Sequence, residues 1–531
     1  MTAGTIAPRE SRPRDGADGF GHLLHAEWTK FRTVRGWVVA MIVAALLTVG
    51  FGLLGQDSCS NGNTACTLPL GPGGEAVTDS FYFVRQPLDG NGSITVRMTS
   101  LTGLIPNGSS DGRVRAGSGA APSTANMHSG LEPWSKAGII IEKNTSPGSA
   151  YAAMMVTGAH GVRMQYDYTQ DAPGLAGVTG SVSAANPRWL RLTRSGDTIT
   201  GYDSADGTSW TKVGTATLPG LLPTVQAGLF AASPVYTHVV SASLGASHVA
   251  GGPTLAIAAF DHTSLRGRWT GGWTGDDIGG TNGLYPRAPG GFRQSGNRFT
   301  VTGSGDIAPD VPGSAGGGGV DIAQALVGTF AGLIVVIVVG TMFITAEYRR
   351  GLIRTTLTAS PRRGQVLLAK AIVLGLVTFV VGLVATAVAL PVGEQQIRKG
   401  GSFIDPVSML TEVRLVAGTA ALFAVAAILA LALGTVLRRS AVAVTVVIVV
   451  IVVPYILSTV LSAGISQWLL RVTPAAGFAI QQAYPKYPQL GITFDAGGYY
   501  PLAPWAGFAV LCGWAAAALG LAVFLLHRRD A

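Results

Sequence analysis

Six separate stretches of about 20 apolar residues constrain this chain more than any other feature of its sequence. They run from Trp37 to Leu54, Ile322 to Ile344, Ala371 to Leu390, Leu415 to Leu437, Ala441 to Leu461 and Trp505 to Leu526, and none has an Asp, Glu, Lys or Arg in its interior. A hydrocarbon layer about 30 Å thick is crossed by a helix of that length. Soluble helices this long would show a polar face. A polytopic α-helical membrane protein with six spans is expected. Charged residues make up 12% of the 531 residues, which excludes a disordered chain and argues against a wholly soluble one. The 73 glycines and the many Ser, Thr and Asn residues require a second part outside the bilayer.

The first stretch is too long for the apolar region of a cleaved signal, and no A-x-A site follows it. An uncleaved signal anchor is expected. Basic residues set the orientation. With the N-terminus in the cytoplasm and six alternating spans, that side holds sixteen Arg and Lys against six Asp and Glu. The whole chain carries +9, so the other side is nearly neutral. The excess reports membrane topology and gives no reason to expect nucleic-acid binding. Both termini are therefore expected in the cytoplasm, with residues 1–19 a disordered tail. Phe20, Leu23, Leu24, Trp28 and Phe31 recur at helical spacing, with Glu27, Lys30 and Arg32 expected on another face. This pattern predicts an amphipathic helix at the membrane interface, continuous with the first span over 20–55.

Roughly 265 residues, 56–320, separate the first two spans, far more than a loop. The pattern there is β. Ile94, Val96 and Met98 alternate, as do Val162, Met164, Tyr166 and Tyr168. Arg188–Arg194 and Thr198–Asp203 read as a hairpin joined by Ser195, Gly196 and Asp197. Many short strands with frequent turns predict a β-sandwich or barrel on the extracellular side. Cys59 and Cys66 flank a short polar loop in that region and are expected to form a disulfide. Metal binding is the alternative, but no His lies nearby. Cys512, inside the last span, reads as a packing residue.

Trp134–Glu142, Ser149–Ala152, Gly161–Tyr166, Arg188–Arg194, Tyr202–Trp210 and Ala259–His262 resemble, in order, the strands of concanavalin A-like jelly-roll domains of the DUF1349 type. Phe299–Ile307 looks like that family's opening strand, yet comes last here. The expectation is a sandwich closed by the segment that returns to the membrane, followed by a Gly-rich tether at 313–319. No Glu-x-Asp-x-Glu strand occurs, so paired-carboxylate glycoside hydrolysis is not expected. Asp276 and Asp277 read as solvated loop residues, and Asp203, Asp206 and Gly207 as a turn with calcium as the alternative. Trp189, Trp210, Trp269 and Trp273 are core candidates that could instead stack a cell-surface glycan.

The segment from Thr345 to Lys370 contains Glu-x-x-x-Gly, then Ser-Pro-Arg-Arg, then a lysine opening the next span. It resembles the first cytoplasmic loop of ABC-2 type transporter permeases. The resemblance implies a coupling element at 345–368 that touches a nucleotide-binding subunit. Its residues would be Glu347, Arg349, Arg350, Gly351, Arg354, Thr355, Ser360, Pro361, Arg362 and Arg363. It also implies re-entrant outer helices within 462–503 and a second six-span unit, as a homodimer or with another permease. No Gly-x-x-x-x-Gly-Lys-Ser/Thr occurs anywhere. The chain itself is not expected to be an enzyme or to hold a cofactor. ATP and magnesium would sit on a separate ABC ATPase subunit. A bacterial plasma-membrane permease, expected to work as an exporter, is the reading that results, with the sandwich sensing or docking a ligand. The alternative is a membrane-anchored cell-surface carbohydrate-binding or receptor protein.

Overall fold

The computed structural model describes residues 19–54, 68–107, 126–174, 182–241, 247–279, 287–311, 320–351, 363–458, 463–485, 487–490 and 500–528. Cys59 and Cys66, the Gly-rich tether and residues 1–18 lie outside the described residues. Among the described residues, six helices are long and apolar enough to cross a membrane. They are α2 (Arg35–Leu54), α3 (Thr329–Arg349), α4 (Arg363–Lys399), α5 (Met409–Leu437), α6 (Ser440–Ser458) and α8 (Pro504–Arg528). Two shorter helices accompany them, α1 (Phe20–Thr33) and α7 (Ala463–Val472). The fold is an α-helical membrane bundle with a large antiparallel β-sandwich.

The bundle core forms where α3 and α5 bury both their flanks, around Leu333, Ile337, Phe423 and Ala427. Gly340 faces Ala427, where an added Cβ would come within 2.9 Å of the Ala427 carbonyl. Close helix approach through small residues is what apolar surroundings select, because lipid gives no hydrophobic drive to helix pairing. Val39, Ile42 and Leu46 of α2 and Leu376 and Val384 of α4 point outward, as lipid-facing residues do. At 37 residues α4 is about 55 Å long and overruns a bilayer. It continues past the expected limit at Leu390 through Pro391 to Lys399.

Strand β2 (Phe81–Pro106) organises the sandwich. Its first half pairs with β11 (Thr224–Ala232), its second half with β8 (Arg188–Ser195), and most of its other edge with β14 (Leu255–Trp269). From β11 the sheet continues through β4 (Lys136–Glu142), β5 (Tyr151–Thr157) and β6 (Val162–Tyr166). From β8 it continues through β9 (Thr198–Ser204). The two arms close over one core holding Ile94, Val96, Met98, Met154, Met164 and Leu190. Gly201 of β9 permits this approach, since a Cβ there would lie 2.5 Å from the Met154 sulfur. The β8–β9 hairpin turns through Gly196 at φ 61°, with Ser195 and Thr198 already paired. The alternation expected through Tyr168 stops at Tyr166. Asp167 and Tyr168 take left-handed φ of 44° and 59°, and Tyr168 enters a second core with Phe81 and Phe230. Asp276 and Asp277 are not in a loop. They lie on a strand, Thr274–Ile278, paired with β2, where Asp276 meets Arg85 at 2.6 Å.

The sandwich is entered and left side by side. Val77–Asp79 (β1) pairs antiparallel with Ile307–Pro309 (β18). The last long strand, Arg298–Gly303 (β17), pairs with β14. Lys136 fastens this exit: its side chain is fully buried, and its ammonium lies 2.6 Å from Asp306 and donates to the Ile307 carbonyl at 3.0 Å. Removing one partner of a buried ion pair costs about 3–5 kcal/mol. Lys136→Met is therefore expected to lower the stability of the sandwich by about that much, seen as an earlier protease-sensitive transition. Unchanged protection would show that the pair carries no load.

Candidate functional site

Helix α1 carries Leu24 and Phe31 into the bundle core, but Glu27 lies on the same face. The helical period requires this, because 27 is three residues from 24 and four from 31. Glu27 is 3% exposed, so the expectation that it faces away with Arg32 is corrected. Its carboxylate meets the ammonium of Lys370, which is fully buried in the first turns of α4, at 2.7 Å. Glu347, near the end of α3, reaches the same ammonium at 2.7 Å. Lys30 completes the cluster, 2.9 Å from Glu27 and 3.3 Å from Glu347. Two carboxylates and two ammoniums balance. Burial alone would pull the Lys30 pKa down, but Glu27 and Glu347 outweigh it and hold the ammonium above its usual range.

Aromatic rings wall the cluster. The Lys370 ammonium sits 4.9 Å from the centre of the Phe343 ring. Phe31 and Trp37 pack edge-on against the same ring at 5.8 and 6.2 Å. Three helices are thus held to one point: α1 within its length, α3 near its end and α4 near its start. Arg363 adds a further tie, donating to the Leu526 carbonyl at the end of α8 at 2.9 Å. A rigid knot of this kind does no chemistry of its own. It can carry a displacement of one helix end to the others.

Among the expected coupling residues, Glu347 turns inward to this knot, while Arg349, Arg350 and Gly351 are exposed at the end of α3. Gly351 adopts φ 69°, which ends the helix without strain. Arg354, Thr355, Ser360, Pro361 and Arg362 lie outside the described residues. In the interfacial set Phe31 is buried, Phe20, Leu23 and Leu24 are half-buried, and Trp28 is exposed. Lys30 and Lys370 were not singled out from sequence as a cluster. Their signal is an ionisable residue inside, or on the apolar face of, a hydrophobic segment.

The four candidate tryptophans of the sandwich each have their own neighbours. Trp210 is covered by the Arg191 guanidinium at 3.8 Å, and its indole N–H donates to Gly207. Trp189 packs against His262, and Trp273 against Phe299. Trp269 donates to the Arg266 carbonyl. Asp206 accepts from the Thr208 and Ser209 amides, both at 2.7 Å, which closes the turn on itself. No group of three His, Cys, Asp or Glu side chains placed to hold a metal occurs among the described residues.

Residues 288–531 match the family described as ABC-2 family transporter protein. No curated protein matches the chain. Solved structures with partial likeness include a functionally unknown protein from Saccharomyces cerevisiae, 14% identical over 39% of this chain and 83% of that one, at a TM-score of 0.21. A mutant of the GH43 protein BlXynB from Bacillus licheniformis is 13% identical over 34% and 28%, at 0.18. SCP-B, a member of the Eqolisin family of peptidases in a complex with a tripeptide, is 8% identical over 42% and 98%, at 0.22. Likeness at these TM-scores assigns no activity to the sandwich.

The cluster makes a direct prediction. Lys370→Met leaves two buried carboxylates with Lys30 as their one remaining cation, a loss of about 3–5 kcal/mol. Its unfolding midpoint in detergent is expected to fall clearly. Adding Glu347→Gln to Lys370→Met should recover part of that fall, because Glu27 and Lys30 then balance. A double variant less stable than Lys370→Met would show that the cluster does not act as one charge-balanced unit.

Proposed function

Because its membrane part, residues 288–531, belongs to the ABC-2 transporter family, we propose that this chain is a permease subunit that works with a separate ABC ATPase. The family makes it a membrane transport component. The ATPase partner, export as the direction, and pairing with a second six-span unit are the finer parts of the reading. ATP and magnesium would be held by the partner. The basic end of the bundle is assigned to the cytoplasm by its charge, which places the sandwich outside.

The observation that carries this reading is the Lys370 cluster. The segment 350–362 leaves α3 just after Glu347 and enters α4 seven residues before Lys370. Both of its anchors therefore meet in one ion cluster that also grips α1. An ATPase that pushed on this segment would move the ends of α3 and α4 together, and α1 with them. Arg349, Arg350 and the basic residues that follow supply the charged face for such a partner. In this reading the sandwich, which is entered and left through β1 and β18, senses or docks a ligand.

Single cysteines at Thr358 and Ser360, in a background without the native cysteines, should cross-link to the co-expressed ATPase. A cysteine at Arg439, in the turn between α5 and α6, should do so much less. Cross-links confined to position 439 or to α1 would overturn the assignment of the coupling segment.

A further inference from the structure

A cavity of about 420 Å³ lies where the sandwich meets the membrane part. Several separate stretches wall it. Glu75 and Asp310 flank the paired strands at the sandwich base, Asp405 lies in the connection into α5, and Arg414 lies in that helix. Tyr484 and Tyr487 come from the segment after the 3-10 helix Pro474–Gln481. The rest of the lining is mostly proline, valine and alanine. Three carboxylates thus face one guanidinium, and an Arg414 Nη2–H already donates to the Gln482 carbonyl.

Asp405 is the anomaly. It is 3% exposed, it lines the cavity, and neither of its carboxylate oxygens has a hydrogen-bond partner. Its own backbone carbonyl is engaged, accepting from the Tyr484 hydroxyl at 3.1 Å. A buried carboxylate with two empty acceptors is costly unless a donor meets it. Burial, with Asp310 and Asp321 adding like charge, raises its pKa to about 8. Asp321 itself is engaged, capping the Ala323 amide at 2.7 Å. A missing donor with positive charge would satisfy Asp405 and offset the acidic lining together. A metal ion would need more converging ligands than the described residues provide. An ammonium needs one or two acceptors and accepts apolar and aromatic walls.

We propose that this cavity binds a ligand with a protonated primary amine on a small apolar frame, its N–H groups donating to Asp405. The amine can belong to a soluble molecule or to an ethanolamine lipid headgroup. Because the site is shared by the sandwich, α5 and the outer segment, an occupant fixes their relative placement. The site does not depend on the transport reading, since binding is measured on this chain alone.

The pH dependence has a definite sign. An unliganded Asp405 holds a proton below about pH 8, and a primary ammonium near pKa 10.4 keeps its own. Binding displaces the Asp405 proton, so affinity should weaken up to about tenfold per pH unit below that value. Stability of the empty protein should fall as pH rises from about 4 to about 8, because the folded state holds a proton that the unfolded state releases. Asp405→Asn removes that part of the slope.

The experiment uses the purified full chain in detergent, with hexylamine as probe and 1-hexanol as its neutral counterpart. Calorimetry should show saturable hexylamine binding at pH 8.5, at least tenfold weaker at pH 6.5. Asp405→Asn should lose at least tenfold in affinity while melting no earlier than wild type, and 1-hexanol should not saturate. Val407→Phe, which narrows the cavity without touching the charge, should also weaken binding. Nanodiscs rich in phosphatidylethanolamine that compete with hexylamine, where phosphatidylcholine does not, would identify the lipid source; no competition would identify a soluble amine. Absence of saturable hexylamine binding, or equal binding by wild type and Asp405→Asn, overturns the proposal.

Discussion

Burying the ammonium of Lys370 dictates much of the arrangement at the basic end of the bundle. An isolated charge in such surroundings is strongly unfavourable, so it must meet acceptors that are themselves out of water. No acidic residue on its own helix supplies them. Glu27 comes from α1 and Glu347 from α3, each 2.7 Å from the ammonium. That requirement fixes the rotation of both helices about their axes, and with it which of their faces meets lipid. Phe343, under the ammonium, then packs against Phe31 and Trp37, so the apolar contacts follow the ionic ones.

A second polar constraint governs the other end. The sandwich is joined to the spans by two chains that run antiparallel as β1 and β18, a narrow neck. The neck is reinforced by Lys136 on its sandwich side. On its membrane side Gln489 donates to the Tyr168 carbonyl at 3.1 Å, and Val311 packs with Ile322, Leu390 and Leu415. The aromatic group of Phe330, Tyr455 and Phe478 and the bond from Gln481 to Thr419 anchor the outer segment into the top of the bundle. The sandwich is therefore gripped at its base while its long strands stand clear.

Much of this was legible in the sequence. The six spans follow from runs of apolar residues whose only stable home is a bilayer, and the sandwich from alternation such as Ile94, Val96 and Met98. The likeness of Thr345–Lys370 to a permease loop agrees with the family match over 288–531. What stayed hidden depended on contacts between distant residues. β2 runs straight through Gly90, Asn91 and Gly92 because β14 and β8 pair beyond them. Glu27 reads as a surface charge until its partner on α4 is known. The burial of Lys136 depends on the returning segment at Asp306, 170 residues away in sequence. Asp405 has no pattern at all around it, since its neighbours in space come from several distant stretches.

In the proposed reading the Lys370 cluster makes α1, α3 and α4 move as one when a nucleotide-binding partner acts. Amide hydrogen exchange across residues 20–33 of the assembled complex, with and without nucleotide, tests it most directly. In the wild-type chain, nucleotide should change the protection of α1 together with the ends of α3 and α4. In Lys370→Met the change at α1 should vanish while that near residues 345–351 persists. The same nucleotide-dependent change at α1 in both proteins would contradict the account.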